Sequence, residues 1–304
     1  MCASLRIRSM VMSDPAPGNG TFALGAATVR RVGFGAMQLP GPGVFGPPRD
    51  HREALAVLRR AIDLGVDHID TSQFYGPNVA NELIHEALHP YPDGLALVSK
   101  VGGRRDEQGG WLPAQTPAEL RAGVEDNLRT LHTEQLAAVN LRLMLDASGL
   151  SGPAFFDDQL GEMAALRDEG KIAGIGISTA DLDQVRAAAR TVGIVCVQNA
   201  FSLLDQRDEA VLKFCIDEGI AYVPYFPLGS AIPGLPKVTD DPVVIDVAAE
   251  LGATPAQVGL AWLLARSANV LLIPGTSSVA HLEENVACGA IRLATQDLSR
   301  LDDR

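Results

Sequence analysis

The sequence is short of positive charge. Among its 304 residues, 25 are Lys or Arg and 37 are Asp or Glu, which gives a formal net charge of −12 at pH 7. Proteins that bind nucleic acid present a basic face to the phosphates, so this deficit argues against a nucleic-acid partner. No uninterrupted apolar stretch reaches the roughly 18 residues that a membrane-crossing helix needs, and no membrane partner is expected.

Cysteine is also scarce. Cys2, Cys196, Cys215 and Cys288 occur without a CxxC pair or a regular spacing. Neither a disulfide framework nor a zinc site is therefore expected, and we predict reduced thiols, a cytoplasmic location and no bound metal. The first residues contain no apolar core of signal-peptide length. Residues 1–20 are predicted to form a disordered N-terminal segment.

The glycine-rich GxGxxG motif of two-domain dinucleotide-binding proteins is missing as well. The segment "GFGAMQ" lacks the third glycine, and "GIGIST" contains only a single GxG. A single GxG is a weak signal for phosphate binding, so both segments are predicted to be closely packed barrel strands.

One alternation is present and is repeated eight times: a short apolar run, then a loop, then a segment of helical period. Helix candidates start at Thr116 and Thr254, each a suitable N-cap followed by Pro, and Gly65 is expected to end another. The pattern predicts an α/β protein with one closed (β/α)8 barrel of the TIM type over residues 21–304. A β-hairpin, "TFALGAATVRRVG", is expected before the barrel. The eight strand candidates are "VGFGAMQL", "HIDTS", "LALVSKV", "LAAVNLRL", "IAGIGIST", "IVCVQNAF", "IAYVPYFP" and "VLLIPG".

Polar side chains lie at the ends of these strands, where a purely structural barrel has little use for them. Strand two leads into Asp70 and, five residues later, Tyr75, and strand three ends near Lys100. Strand four carries Asn140 and Arg142, which point to the same side because they are two residues apart. The longest irregular stretches, such as "GGRRDEQGGWLPAQ", also follow strands. Since barrels of this type keep their active sites at the C-terminal ends of the strands, an active site is predicted there.

Taken in order, these motifs resemble the aldo/keto reductase superfamily from about Gly20 to the end of the chain. "GVDHIDTSQFYG" is similar to the segment around the family's catalytic Asp and Tyr, and "VSKVG" to its lysine strand. "VQNAFSLLD", "YFPLGS" and "IPGTSSVAHLEENV" are similar to its cofactor segments. The resemblance implies an NAD(P)H-dependent oxidoreductase that reduces a small aldehyde or ketone to an alcohol. NADPH is the expected cofactor and NADH the alternative; the oligomeric state is not predicted.

The chemistry of the predicted residues agrees with such a reductase. Tyrosine hydroxyls have an unperturbed pKa near 10, and a nearby ammonium favours the phenolate. Tyr75 can therefore donate a proton to a carbonyl oxygen with Lys100 beside it, while Asp70 holds Lys100. The hydride must come from a cofactor, because no side chain supplies one.

The family resemblance also implies a set of cofactor residues. We expect the nicotinamide to lie near the side chains of Ser178, Thr179, Gln198 and Asn199, with Tyr225 stacking on its ring. Leu228, Gly229 and Ser230 are expected along the pyrophosphate, and Glu284 and Asn285 near the adenine. The hydroxyls of Thr276, Ser277 and Ser278, at the start of a helix, can bind a 2′-phosphate. Many family members place Lys and Arg where this sequence has Gly275 and His281, which weakens the electrostatic case for NADPH.

Strand four departs from the common family pattern. In that pattern its end carries a His, which Arg142 replaces here; an alternative alignment puts Asn140 in that place. A guanidinium donates hydrogen bonds but cannot shuttle a proton, so proton donation depends more on Tyr75. The extra positive charge favours a substrate with an anionic group beside its carbonyl. "VNLR" also resembles a bacterial subgroup that includes pyridoxal reductases, and pyridoxal has a phenolate next to its aldehyde. A nucleotide-binding sensor or accessory subunit with little turnover is the alternative function.

Overall fold

The structure is a computed structural model, and it describes residues 20–144, 153–229 and 236–304. All but the last residue of the predicted disordered segment 1–20 lies outside the described residues, and so does Ser230.

In the part of the chain that the structure describes, the strands are short and belong to three sheets. Seven of them form one parallel sheet in the order β11-β10-β9-β8-β5-β4-β3, whereas β1 pairs with β2 and β6 with β7 in antiparallel hairpins. The strand bounds are β1 Thr21–Leu24, β2 Ala27–Arg30, β3 Phe34–Gly35, β4 His68–Asp70, β5 Ala96–Val101, β6 Gly103–Arg105, β7 Trp111–Pro113, β8 Ala138–Arg142, β9 Ile175–Ser178, β10 Cys196–Gln198 and β11 Ala221–Tyr222.

The parallel sheet curls until its two edges meet through one segment. The amide of Leu271 donates to the carbonyl of Tyr222 beside β11, at 2.9 Å. At the other edge the amide of Gly33 donates to the carbonyl of Leu272, and that of Leu272 to the carbonyl of Arg31, both at 2.8 Å. The eighth predicted strand, "VLLIPG", is thus present only as single bridges to both edges and not as a full strand.

Within the described residues, ten α-helices follow or connect the strands. Helix α1 begins after Asp50, whose carboxylate accepts from the amide of Glu53 at 3.0 Å. The predicted caps at Thr116 and Thr254 are confirmed, since each forms a capping box with the third residue of its helix. The helix bounds are α1 His51–Asp63, α2 Val79–Leu88, α3 Pro117–Leu131, α4 Pro153–Asp168, α5 Leu182–Thr191, α6 Glu209–Glu218, α7 Pro242–Leu251, α8 Pro255–Arg266, α9 Val279–Ala287 and α10 Thr295–Asp302.

The sequence predicts an irregular loop after β5, and this prediction is wrong. It contains the β6–β7 hairpin, in which Arg105 is the cross-strand partner of Trp111. The turn forms because Asp106 accepts hydrogen bonds from the amides of Gln108 and Gly110 at 3.0 and 2.6 Å. Gly109, with φ +83, supplies the left-handed backbone that the turn requires.

The N-terminal hairpin β1–β2 confirms the predicted one and closes one end of the curled sheet. Leu24 is 2% exposed and Val29 is fully buried. Both belong to an apolar cluster with the inward side chains of the strands, among them Ala96, Ala138 and Ala221. Small residues on the strands leave room for Leu24, so the hairpin seals the end of the sheet opposite to the strand C-termini.

Two glycines make room for polar side chains in the interior of the sheet. A Cβ on Gly33 would lie 2.2 Å from His68 Nε2, and a Cβ on Gly176 would lie 2.2 Å from Asn140 Oδ1. Burial and the charge of Asp70 raise the pKa of the Cys196 thiol to about 12. The thiol is therefore protonated and donates to Asn140 Oδ1 at 3.3 Å. The interior below the strand C-termini is thus partly polar.

Among the described residues, no single helix is long and apolar enough to cross a membrane. Helices α7 and α8 reach the required length and composition only as a pair, and they are bent by 93° relative to each other.

The close packing at Gly176 gives a first prediction. Gly176→Ala would place its Cβ 2.2 Å from Asn140 Oδ1 and 2.6 Å from Cys196 Sγ. We expect the free energy of unfolding, measured by chemical denaturation, to fall by about 1–3 kcal/mol, as in other overpacked cores. Gly161→Ala is the matched control, because Gly161 lies in α4 with nothing within 4 Å of its Cβ position. It should stabilise the helix by about 0.5–1 kcal/mol. Equal effects of the two substitutions would contradict the close packing around Gly176.

A histidine cluster at the ends of α2 and α3 gives a second prediction. The rings of His85 and His132 stack with their centres 3.9 Å apart, and His89 is 4.8 Å from His85. Burial, and then His132 and His89, lower the pKa of His85. As the pH falls, the unfolded chain, in which the pKa of His is about 6.5, binds protons before the folded chain does. The free energy of unfolding therefore decreases as the pH drops below this value.

His85→Gln should therefore make the midpoint of thermal unfolding less dependent on pH between about 7.5 and 5.5. His51→Gln is the control, because His51 contacts Glu86 and lies outside the cluster. If His85→Gln and His51→Gln changed the pH dependence equally, the cluster would not be its source.

Candidate active site

A buried ion pair lies at the C-terminal ends of β4 and β5. Lys100 donates from its ammonium to Asp70 and, at 3.1 Å, to the carbonyl of Thr71. Asp70 and Lys100 are each 3% exposed. The second oxygen of Asp70 accepts from Gln198 Nε2 at 3.0 Å, which links β4 to β10 across the interior. Each charge therefore has a partner of opposite sign and a further hydrogen bond, as buried charges require.

Tyr75 lies beside this pair and is 3% exposed. The ammonium of Lys100 is 5.0 Å from the centre of the Tyr75 ring. Burial by itself would lower the pKa of Lys100, but the charge of Asp70 and the contacts with Asp70 and Tyr75 raise it above its ordinary value. Lys100 is therefore cationic at neutral pH. The structure brings together the three predicted residues, Asp70, Tyr75 and Lys100.

A polar network on the outer side of β4 and β5 supports the segment that carries Tyr75. Thr71 donates to Asn81 Oδ1 at 2.7 Å, and Asn81 donates to Asn127 Oδ1 at 2.9 Å. Asn127 in turn accepts from Ser99 at 2.6 Å and donates to Gln73 at 2.8 Å. Sequence analysis missed this network. Its signal is an Asn at a core-facing position of α2 and another on α3, two residues that rarely lie in a core without a partner.

Arg142 is the last residue of β8 and is held through its main chain. Its carbonyl accepts from Gln115 Nε2 at 2.9 Å, and Gln115 accepts in turn from Gln159 at the same distance. The guanidinium carbon lies 5.8 Å from the centre of the Tyr225 ring. Asn140 is fully buried one layer deeper, where it contacts Cys196. Arg142 and not Asn140 therefore occupies the end of the strand.

The predicted nicotinamide residues form a group around β9, β10 and the residues after β11. Ser178 and Thr179 approach each other to 3.4 Å, and Thr179 approaches the hydroxyl of Tyr225 to the same distance. These contacts are long for hydroxyl hydrogen bonds, so the groups can exchange them for better partners. Gln198 Oε1 is buried and has no hydrogen-bond partner among the described residues. An amide ligand offers the donor that this oxygen lacks, so these side chains fit a nicotinamide carboxamide.

Asn199 differs from its predicted neighbours because its side-chain amide is already engaged. It donates to the carbonyl of Ala180 at 2.7 Å and to Asp208 at 2.9 Å, and it accepts from the amide of Ala180 at 3.1 Å. Asn199 therefore holds the chain next to Thr179, whose backbone has the unusual φ of +60. A contact between Asn199 and the carboxamide would require this arrangement to open.

The residues predicted for the other end of the cofactor lie around the N-terminus of α9. Ser278 caps this helix without a side-chain hydrogen bond, and its amide donates to the hydroxyl of Thr276 at 3.1 Å. The amide of Val279 donates to Glu53 at 3.0 Å, an acidic neighbour that sequence analysis missed. The carboxylate of Glu53 opposes a phosphate at this end, whereas the positive end of the helix dipole and the hydroxyls of Thr276, Ser277 and Ser278 favour one.

The other predicted cofactor residues are distributed as follows. Glu284 accepts from the hydroxyl of Thr254, so its carboxylate is tied to the N-cap of α8. Gly229 has φ +92, a left-handed backbone that favours glycine. Gly275, Ser277 and His281 are exposed, Leu228 is half-buried and Asn285 is buried. The described part of the chain contains no group of three His, Cys, Asp or Glu side chains that could hold a metal.

Comparisons with known proteins agree with this site. A family model described as the aldo/keto reductase family matches residues 31–304. Pyridoxine 4-dehydrogenase of Escherichia coli strain K12 is 50% identical over 284 residues, which cover 93% of this chain and 98% of the relative.

Two solved structures of Klebsiella pneumoniae aldo/keto reductases are also similar, each 27% identical in sequence. One, in complex with NADP and acetate, has a TM-score of 0.75 and covers 93% of this chain and 94% of its own. The other, in complex with NADPH, has a TM-score of 0.76 and covers 94% of both chains. With a family model over most of its length and a relative at 50% identity, this chain belongs to the aldo/keto reductase family.

Proposed function

We propose that this protein reduces the aldehyde of pyridoxal to the alcohol pyridoxine with NADPH as the hydride source. The observation that carries the proposal is the buried contact of Asp70, Lys100 and Tyr75, with the cation Arg142 at the end of the neighbouring strand β8. The relative named pyridoxine 4-dehydrogenase supports pyridoxal as the substrate. Other small aldehydes and ketones belong to the same proposal as slower substrates.

The proposed reaction assigns one task to each of these side chains. A nicotinamide cofactor, when bound, would supply the hydride for the carbonyl carbon. Tyr75 donates its hydroxyl proton to the carbonyl oxygen, and the positive charge of Lys100 stabilises the phenolate that remains. Asp70 keeps Lys100 charged and oriented through the ion pair. Gln198 donates to the second oxygen of Asp70 through its Nε2. Its Oε1, which has no hydrogen-bond partner among the described residues, would accept from the carboxamide of a bound nicotinamide.

Arg142 is proposed to select the substrate. Asp70 contributes one negative charge to the site, and Lys100 and Arg142 each contribute a positive one, so the site has an excess of one positive charge. Pyridoxal has a phenolate next to its aldehyde, and a guanidinium donates charge-assisted hydrogen bonds to such an oxygen. A neutral aldehyde gains no such bond. The charge of the site therefore favours pyridoxal over neutral carbonyl compounds.

The preference for NADPH is proposed on two grounds. The hydroxyls of Thr276, Ser277 and Ser278 surround the start of α9, where a 2′-phosphate can bind. The similar Klebsiella structures contain NADP or NADPH. The carboxylate of Glu53 repels a 2′-phosphate, so NADH is the alternative cofactor. The ratio of kcat/KM for NADPH to that for NADH decides between the two.

The closed eight-stranded barrel and the single domain over residues 21–304 also belong to this proposal. They are supported by the bridges of Val270 and Leu272 to both edges of the sheet. The cytoplasm is the proposed location. Cys196, Cys215 and Cys288 are free and buried, which agrees with a reducing compartment.

The role of Tyr75 gives a third prediction. Tyr75→Phe removes the proton donor but keeps the ring, so kcat with pyridoxal should fall by about 10²–10⁴-fold. The dissociation constant of NADPH should be unchanged, because the hydroxyl acts on the carbonyl. The measurement follows the absorbance of the reduced cofactor with pyridoxal, a nitrobenzaldehyde and a simple ketone.

A Tyr75→Phe variant that turned over at the wild-type rate would exclude this mechanism. If the wild-type protein bound NADPH tightly but reduced no carbonyl compound in the panel, the sensor or accessory role would replace the reductase.

The role of Arg142 gives a fourth prediction. Arg142→His should lower the ratio of kcat/KM for pyridoxal to that for a neutral aldehyde by about tenfold, the value of one charge-assisted hydrogen bond. Arg142→Lys is the control, because it retains the charge and should retain most of the preference. If the ratio is the same in wild-type and Arg142→His protein, the charge argument is wrong even where pyridoxal is a substrate.

A further inference from the structure

A loop next to the active site is tied to the segment that carries Tyr75. This outer loop consists of residues 41–46. The amide of Gly46 donates to the carbonyl of Gly76 at 2.8 Å, and the amide of Gly76 donates to the carbonyl of Val44 at 3.2 Å. Gly76 directly follows Tyr75 in the chain. The position of the outer loop is thus coupled to the backbone beside the proposed proton donor.

Arg105, on the hairpin β6–β7, binds the outer loop to the hairpin. Its guanidinium donates to the carbonyl of Gly109 at 3.0 and 2.7 Å, to that of Gly43 at 2.9 Å and to that of Val44 at 3.2 Å. Three carbonyls on two separate segments therefore accept hydrogen bonds from the same side chain. The planar guanidinium fork suits this arrangement, whereas the single ammonium of a lysine does not.

The same guanidinium organises aromatic rings. Its carbon lies 4.0 Å from the centre of the Trp111 ring and 5.5 Å from that of Phe45. Trp111 is 39% exposed, although it packs edge-on against Phe74 with the ring centres 5.5 Å apart. Phe74 in turn packs edge-on against Tyr75 at 5.4 Å. One ring therefore separates an exposed tryptophan from the proposed proton donor.

The outer loop holds a strained conformation at the point where Arg105 binds it. Val44 has φ +59, which is unfavourable for a β-branched residue. Such a conformation persists only where the surroundings hold it, and it is frequent at ligand-binding sites. The carbonyl of Val44 accepts from Arg105 and from Gly76, so these two bonds hold the strained residue.

We propose that Arg105 is a positioning residue that sets the substrate preference, by fixing Trp111 and the outer loop as a wall against which the planar ring of an aromatic aldehyde stacks. The proposal rests on the proposed function and extends it from the carbonyl to the ring of the substrate. A ring gains contact area and stacking energy from an exposed tryptophan. A short aliphatic aldehyde has no ring and gains neither.

The first test compares two adjacent arginines. Arg105→Met keeps the aliphatic stem but removes the hydrogen bonds, whereas Arg104→Met is the matched control, because Arg104 is exposed and alternates to the other side of the strand. Arg105→Met should lower kcat/KM for pyridoxal about tenfold through a higher KM, with little change for propanal. Arg105→Lys should resemble Arg105→Met, since it keeps the charge but not the fork. Arg104→Met should change neither substrate.

Equal losses for pyridoxal and propanal, or full activity of Arg105→Lys, would overturn the positioning role. If Arg105→Met does not fold, Trp111→Leu replaces it, and the same selective loss for pyridoxal is expected. Trp111→Leu with an unchanged ratio of the two substrates would also reject the aromatic wall.

The second test does not depend on turnover. The chain has two tryptophans, and Trp262 is fully buried with its indole bonded to Asp302, so quenching of tryptophan emission by acrylamide reports on Trp111. Pyridoxine should protect Trp111 from quenching in the wild-type protein and in Arg104→Met, but much less in Arg105→Met. If pyridoxine protects Trp111 from quenching but no aldehyde is turned over, the proposed function is rejected and the role of Arg105 in positioning Trp111 is retained. Turnover of pyridoxal without protection would reject the wall and keep the function.

Discussion

The ion pair between Asp70 and Lys100 constrains the rest of the site. A buried carboxylate and a buried ammonium are each costly, and removing one partner would leave the other uncompensated. Their attraction alone does not satisfy every donor and acceptor. The structure adds the Thr71 carbonyl for Lys100 and the Gln198 amide for Asp70. Thr71 is fixed in turn by the network of Asn81 and Asn127, so helices α2 and α3 contribute to the geometry of the pair through this network.

The interior of the curled sheet accommodates this polarity through the size of its residues. Glycines stand where the side chains of His68 and Asn140 need space, and alanines stand where Leu24 closes the opposite end. The polar side chains of His68 and Asn140 and the apolar side chain of Leu24 therefore lie at different depths of the same interior. A polar layer next to the ion pair also lowers the cost of holding two charges there, because amide and thiol dipoles can orient toward them.

The parts that sequence analysis predicted are those that depend on neighbours in the chain or on the ends of parallel strands. The capping boxes at Thr116 and Thr254 are local, and Asp70 and Lys100 follow from the rule that strand ends converge at one face. The hairpin β6–β7 was missed because its strands are three residues long and depend on Asp106 and Arg105. The bond between Gln198 and Asp70 joins residues 128 positions apart, and no local pattern indicates it.

Arg142 and Arg105 show how two arginines can have different tasks beside one catalytic group. Arg105 uses four hydrogen bonds to backbone carbonyls, so little of its donor capacity remains for a ligand. Arg142 lies at the end of β8 with its Nε buried and without a hydrogen-bond partner among the described residues. A buried guanidinium donor without a partner is costly, and an anionic ligand would satisfy it. We therefore expect Arg142 to select the substrate by its charge. Arg105 is expected to select it by shape, because it positions Trp111 and the outer loop.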